Sequence, residues 1–160
     1  MAKHEEEKTN VMRTLEQKKI PYTAHSYDPD GPIDGVSVAQ TLGQPAERVF
    51  KTLVTKAASG AYYVFDIPVA ENLDLKKAAK VVGEKSIAML PQKELLGLTG
   101  YVHGGCSPVG MKKQFPTVFH KTALGYDTVC VSAGKIGAQV ECDPKALIDL
   151  LRAKTADIIV

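Results

Sequence analysis

The chain has 160 residues, 44% of them apolar and 24% charged, with a net charge of +2 and a pI near 8.4. Those values fit one soluble domain with a real core, and we expect residues 1–160 to form a single unit. The charge is compatible with a nucleic-acid partner but far below that of a duplex-binding arm. Cys106, Cys130 and Cys142 are an odd number at wide spacings, which argues against a disulfide framework and for reduced thiols in the cytoplasm. Met1 to Lys8 has no apolar core, so no secretory signal is expected, and no apolar run is long enough to span a bilayer.

Glu5 to Lys19 reads as an amphipathic helix with Val11, Met12 and Leu15 on one face, ended by Pro21. Tyr22 to Tyr27 follows as a short strand, and Asp28 to Pro32 as a loop punctuated by two prolines and a glycine. Ser37 is the expected cap of a short helix carrying Val38, Ala39 and Leu42, closed by Gly43. Pro45 to Arg48 suggests a helical turn. Val49 to Lys56 and Ala61 to Val69, joined through Ala58-Ser59-Gly60, form a β-hairpin expected at the centre of the sheet.

Asn72 or Asp74 begins a helix through Val82, with Leu75, Ala78, Ala79 and Val82 inward and Gly83 as the stop. Ser86 to Leu90 is a strand, and Pro91 opens a brief helix ending near Gly97. Tyr101 to Gly110 is a glycine-rich loop. Strands are expected at Thr117 to His120, Asp127 to Ser132 and Ala138 to Cys142, with a turn at Ala133 to Lys135. Asp143-Pro144 starts a last helix, to about Arg152. The order mixes strand pairs with helices rather than repeating strand-helix-strand units. The expected fold is therefore α+β with a mixed, largely antiparallel sheet.

Two features carry candidate chemistry. Along Val49 to Val54, alternation sets Val49, Lys51 and Leu53 on one face and Phe50, Thr52 and Val54 on the other. Both faces are largely apolar, so the Lys51 charge needs water or a partner. It either snorkels at a sheet end or reaches a ligand. Gly104-Gly105-Cys106-Ser107-Pro108-Val109-Gly110 fixes an unusual backbone path that can aim N–H groups at an anion or a carbonyl oxygen. It lacks the glycine-lysine-hydroxyl ending of a phosphate-gripping loop. Cys106 beside His103 has no assured base or orienting group for nucleophilic work, and a small semi-buried thiol is the plainer reading. His4, His25, His103 and His120 form no paired metal-ligand spacing with the cysteines, so no metal is expected, and no cofactor motif is present. Lys112-Lys113 follows the glycine-rich loop, where it could hold a phosphate; a solvated face is the alternative.

Phe50-Lys51-Thr52-Leu53, Leu73-Asp74-Leu75-Lys76-Lys77-Ala78-Ala79-Lys80, Gly100 to Lys113 and Val131-Ser132-Ala133-Gly134-Lys135 together resemble the YbaK family. These are free-standing aminoacyl-tRNA deacylases related to the editing domain of bacterial prolyl-tRNA synthetase. The resemblance covers roughly residues 9–158. It implies a barrel-like mixed sheet flanked by helices and hydrolysis of mischarged tRNA, most often Cys-tRNA(Pro). Prolyl-tRNA synthetase is a partner it suggests. It further implies that Lys51, Gly104 and Gly105 serve the reaction, and that Tyr27, Thr52, Cys106, Ser107, Pro108 and Ser132 border the substrate. In its cysteine-specific members the substrate's own thiol attacks its carbonyl. Asp34 stands where some relatives have a bulky aromatic residue, and Gln139 where some have an acid. Ala-tRNA(Pro) deacylation is the nearest alternative activity. A non-catalytic module binding aminoacyl-tRNA or a synthetase is another, and a Schiff-base enzyme using Lys51 a third.

Overall fold

The protein is seen in a computed structural model that describes residues 8–160. The expectations for Met1 to Glu7, the first turn of helix and the lack of a signal, lie outside the described residues. Among the described residues helix α1 runs over Asn10–Gln17: Thr9 caps it, its hydroxyl accepting the Met12 N–H at 3.2 Å. Val11, Met12 and Leu15 form its buried face, as their spacing requires.

Strand β1 is Tyr22–Ser26 and helix α2 is Gly35–Thr41. The cap of α2 is Asp34, not Ser37. The Asp34 carboxylate accepts the Ser37 N–H at 3.1 Å, so Ser37 occupies the third helical position and donates to the cap. Ala46–Arg48 is a 3-10 turn. The hairpin then forms from β2 (Phe50–Ala57) and β3 (Tyr62–Pro68).

Helix α3 covers Leu75–Val82. Asp74 caps it by accepting the Lys76 and Lys77 N–H groups, both at 3.0 Å, and Gly83 ends it with φ at 76°. Ala78 and Ala79 are buried against the hairpin, but Leu75, at the first helical position, stays 38% exposed instead of facing inward. Asp74→Ala is expected to lower stability by about 1 kcal/mol. In urea unfolding the midpoint should fall with the slope unchanged, because only the cap is lost.

Strand β4 is Ile87–Met89 and α4 is Gln92–Thr99, two residues longer than expected. The Gly100 N–H donates to Leu96 O at 2.8 Å and carries the last turn past Gly97. Strands β5 (Thr117–His120), β6 (Val129–Ser132) and β7 (Ala138–Cys142), helix α5 (Pro144–Leu151) and strand β8 (Lys154–Ala156) complete the described elements. The sequence reading missed β8, which is only three residues long.

The strands lie in a five-stranded sheet, β4-β2-β3-β5-β8, and a three-stranded sheet, β1-β7-β6. The hairpin is central, as expected. Pairings β3–β5 and β5–β8 are parallel and the rest antiparallel. A single bridge, Val49 to Cys130, joins the two sheets. The fold is thus α+β and largely antiparallel, but the sheet does not close, so barrel-like describes its curvature only. Phe50, Phe119, Val131, Val140 and Leu147 anchor the largest core cluster between the sheets and α1 and α5. Among the described residues no helix is long and apolar enough to cross a membrane.

Candidate active site

The register of β2 places the site. Ala57 N–H donates to Ala61 O at 2.8 Å and Val69 N–H to Val49 O at 2.9 Å, so odd-numbered residues of β2 hold the ladder to β3. The even-numbered residues point the other way, as the 3.1 Å bond from Leu90 N–H to Val54 O shows. On that side β4 covers only Thr55 to Ala57, and β6 bridges only at Val49. Phe50 to Leu53 is therefore an open strand edge inside the molecule. The backbone N–H and C=O of Thr52 turn toward the gap.

A pocket of 330 Å³ occupies this gap, a size suited to a small ligand or the end of a larger one. Lys51, Thr52, Phe50 and Leu53 form one wall. Gly104, Cys106 and His103 come from the glycine-rich loop, Ser132 from β6 and Gln139 from β7. Tyr27, Ile33 and Asp34 close the side nearest α2. Lys51 and the glycine-rich loop thus share a pocket.

Lys51 is half-buried. Burial lowers its pKa from the ordinary lysine value, and Glu71 pulls it back up. Among the described residues it has no ion-pair partner, so its ammonium is free for a ligand. The loop approaches closely because of its glycines. Gly104 has φ at 90°, and a Cβ on Gly105 would meet the backbone of Lys135 and Ile136 at 2.9 Å. The Gly105 N–H already donates to Val102 O at 3.0 Å. Gly105 does not line the pocket, whereas Gly104, which has only backbone to present, does so between His103 and Cys106.

Ser107 and Pro108 are buried behind the loop, where the Ser107 hydroxyl accepts the Val109 N–H at 3.2 Å. Lys112 and Lys113 also lie outside the pocket lining. Lys112 Nζ reaches Gly97 O at 3.4 Å, and Lys113 Nζ sits 6.0 Å from the Phe115 ring centre. Burial pushes the Cys106 thiol up to about 12, so at neutral pH it is not a thiolate nucleophile. The Ser132 hydroxyl accepts the Gly134 N–H at 3.1 Å and so stiffens the turn after β6.

Gln139, set apart in the sequence as a departure from relatives, does line the pocket, whereas Asp66 escaped the sequence reading. Gln139 is 7% exposed, and its Oε1 finds no partner among the described residues. Asp66, on β3, is fully buried directly behind Thr52, whose Oγ1 lies 2.5 Å from Asp66 Oδ1. Desolvation raises Asp66 to about 8 against the opposing Thr52 bond, and Oδ2 has no hydrogen-bond partner among the described residues. The signal was present: an acid inside the apolar run Tyr62 to Pro68 demands an explanation.

His25, Cys130 and Glu141 could each offer a ligand atom to a metal, since those atoms lie within 4.8 Å of one another. Sequence spacing could not reveal this group, because register alone assembles it. Its carboxylate oxygens already have partners: Glu141 Oε1 is 2.8 Å from His25 Nε2, and Oε2 takes the Thr128 hydroxyl at 2.5 Å with Arg48 at 3.6 Å. Those bonds, Thr128 first and His25 second, hold the Glu141 carboxyl below its ordinary range.

Known proteins of similar sequence and shape fit this arrangement. The family model for the aminoacyl-tRNA editing domain matches residues 34–150, which contain Lys51, Asp66, the glycine-rich loop and Gln139. A protein of Enterococcus faecalis (strain ATCC 700802 / V583), named as a candidate Cys-tRNA(Pro)/Cys-tRNA(Cys) deacylase, EbsC, is 45% identical over 157 residues, spanning 98% of this chain and 96% of that protein. A solved structure described as a candidate trans-editing enzyme for prolyl-tRNA synthetase superposes with a TM-score of 0.80 at 27% identity, over 94% of each chain. The structure of the hypothetical protein APE2540 superposes with a TM-score of 0.86 at 22% identity, over 94% of this chain and 99% of that one, and speaks to fold alone. With the matching segment supplying most of the pocket lining and a 45% identical relative spanning nearly the whole length, this chain belongs to the aminoacyl-tRNA editing domain family.

Proposed function

We propose that this protein is a free-standing aminoacyl-tRNA deacylase, with Cys-tRNA(Pro) as its preferred substrate. The observation that carries the reading is the unpaired Lys51 ammonium in a pocket faced by the Gly104 backbone. An aminoacyl ester brings an acyl oxygen that gains negative charge during attack and a nearby phosphate. Lys51 would hold either one, and the Gly104 N–H would meet the oxyanion.

The ester is already activated, so no strong protein nucleophile is needed. Cysteine's own thiol would attack its carbonyl carbon; the C–S bond forms as the ester C–O bond breaks, and the ribose oxygen leaves with a proton. Holding thiol and carbonyl together supplies a large effective concentration. That scheme suits a pocket whose protein thiol, Cys106, stays protonated. Tyr27, Thr52, Cys106 and Ser132 would contact the aminoacyl group, with Ser107 and Pro108 shaping the loop from behind. Lys112 and Lys113 would lie along the acceptor stem, outside the pocket. Size alone separates cysteine, alanine and proline poorly, which is why a synthetase needs such a second site. Prolyl-tRNA synthetase is the partner that would deliver tRNA identity, in keeping with the description of the superposed trans-editing enzyme.

The test is deacylation of Cys-tRNA(Pro), Ala-tRNA(Pro) and Cys-tRNA(Cys), with and without the synthetase. Cysteine should leave tRNA(Pro) faster than alanine does. Faster loss of alanine would move the assignment to Ala-tRNA(Pro), and tRNA binding without turnover would make the protein a binding module.

A further inference from the structure

Thr52 lines the pocket, while its hydroxyl oxygen sits 2.5 Å from the buried Asp66. Both are register partners in the central hairpin, Thr52 opposite Asp66, so backbone pairing fixes their approach. The two Asp66 oxygens differ: Oδ1 meets Thr52, and Oδ2 has no hydrogen-bond partner among the described residues. A neutral carboxyl must place its proton on one of them. On Oδ2 it would be a buried donor without an acceptor, which is costly; on Oδ1 it is shared with Thr52 Oγ1. The neutral acid is therefore the donor, and the Thr52 O–H is left to point elsewhere. An ionised Asp66 has no proton to give, and Thr52 must then donate to it.

We propose that Asp66 is a positioning residue that sets the polarity of Thr52: as a neutral acid it frees the Thr52 hydroxyl to donate to a substrate oxygen in the pocket, and as a carboxylate it recaptures that hydroxyl. The proposal rests on the deacylase reading above. The substrate oxygen is the acyl oxygen of the ester, which gains charge as the thiol attacks.

The surroundings of Asp66 make the neutral form the working one. Thr52 faces it from β2 and Phe119 from β5, and the Cys106 thiol, the titratable group facing it from the glycine-rich loop, stays neutral up to about 12. Desolvation dominates, with no charged group acting on the carboxyl, which places its titration at about 8. Lys51 is the adjacent residue of β2, but its register partner is Ile67 rather than Asp66.

The experiment has two readings on the full chain. In the first, Cys-tRNA(Pro) deacylation is followed from about pH 7 to about pH 9 for the unsubstituted protein, Asp66→Asn, Thr52→Ser and Thr52→Val. Each rate is also divided by that of Thr52→Val at the same pH, so that titration of the substrate thiol cancels. Relative to Thr52→Val, the unsubstituted protein and Thr52→Ser should lose up to about tenfold across this range, the limit for withdrawal of one donor by a group with a midpoint near 8. Asp66→Asn, whose amide donates to Thr52 at every pH, should shift that fall upward toward the lysine range. Thr52→Val should be slow throughout, with no fall near the Asp66 midpoint.

In the second reading, the Asp66 carboxyl and Thr52 Cβ resonances are titrated by carbon NMR without substrate. A shared midpoint near 8 supports the proposal. A carboxyl that titrates below about pH 6 overturns it, as does an Asp66→Asn profile that superposes on that of the unsubstituted protein. Should the unsubstituted protein deacylate none of the three tRNAs, the deacylase reading fails and the NMR titration alone decides the Asp66–Thr52 coupling.

Discussion

Lys51→Ala is expected to lower Cys-tRNA(Pro) deacylation by about two to three orders of magnitude, the usual loss when one preorganised charge or donor is removed from a developing oxyanion. The size of the effect follows from placement. Lys51 stands on the open edge of β2, half-buried, with no ion-pair partner among the described residues. In a partly desolvated site a single cation is worth far more than at the surface. Lys51→Met keeps most of the stem and should lose as much as the alanine variant. Lys51→Arg keeps the charge but not its position and should recover only part of the rate. Because β2 is held by a seven-pair register to β3, all three variants should unfold at close to the original temperature. Activity within tenfold of the original in the folded alanine variant would remove Lys51 from the reaction.

The second large effect is on stability and runs against the usual acid sensitivity of proteins. Unfolding free energy should fall as pH rises from about 4 to about 8, by roughly 5 kcal/mol. The folded-state pKa of Asp66 is raised from 3.8 to about 8 by complete burial. Between those values the folded chain holds a proton at Asp66 that the unfolded chain has released. The native state binds more protons there, so its stability is greatest below the unfolded pKa and is lost as pH climbs toward the folded one. Glu141 acts oppositely. Its folded pKa is lowered, chiefly by the Thr128 bond, so its contribution is lost only as pH falls below the ordinary glutamate value, at the acid edge of the Asp66 window. Urea unfolding at several pH values should show the slope, and Asp66→Asn should flatten it. A flat profile in the unsubstituted protein would mean that Asp66 titrates normally.

A buried acid with only one of its oxygens bonded, at the centre of a sheet, is unfavourable for folding alone. Its position behind a pocket threonine, beside the unpaired Oε1 of Gln139 elsewhere in the same site, ties that cost to the ligand. Binding can supply partners that the free protein lacks.

Local chemistry determined much of this protein directly from sequence. Asp74 and Gly83 bound α3, and Asp143-Pro144 opens α5, because cap hydrogen bonds and left-handed glycine are satisfied within a few residues. The hairpin was legible for the same reason, since its turn and alternation are local. Lys51 and the glycine-rich loop could be singled out by residue type, and the resemblance that joined them rested on the order of short segments. Tertiary structure alone decided the rest. Strand β8 is three residues long and exists only because β5 offers it an edge. The pocket exists because β4 and β6 leave Phe50 to Leu53 uncovered, a matter of pairing between segments far apart in the chain. Lys112 and Lys113 follow the loop in sequence yet lie outside the pocket, while Asp66 and Gln139, distant in sequence, border it or stand directly behind its wall. Periodicity gives each strand its faces, but only register says which faces meet, and the polarity of Thr52 depends on that meeting.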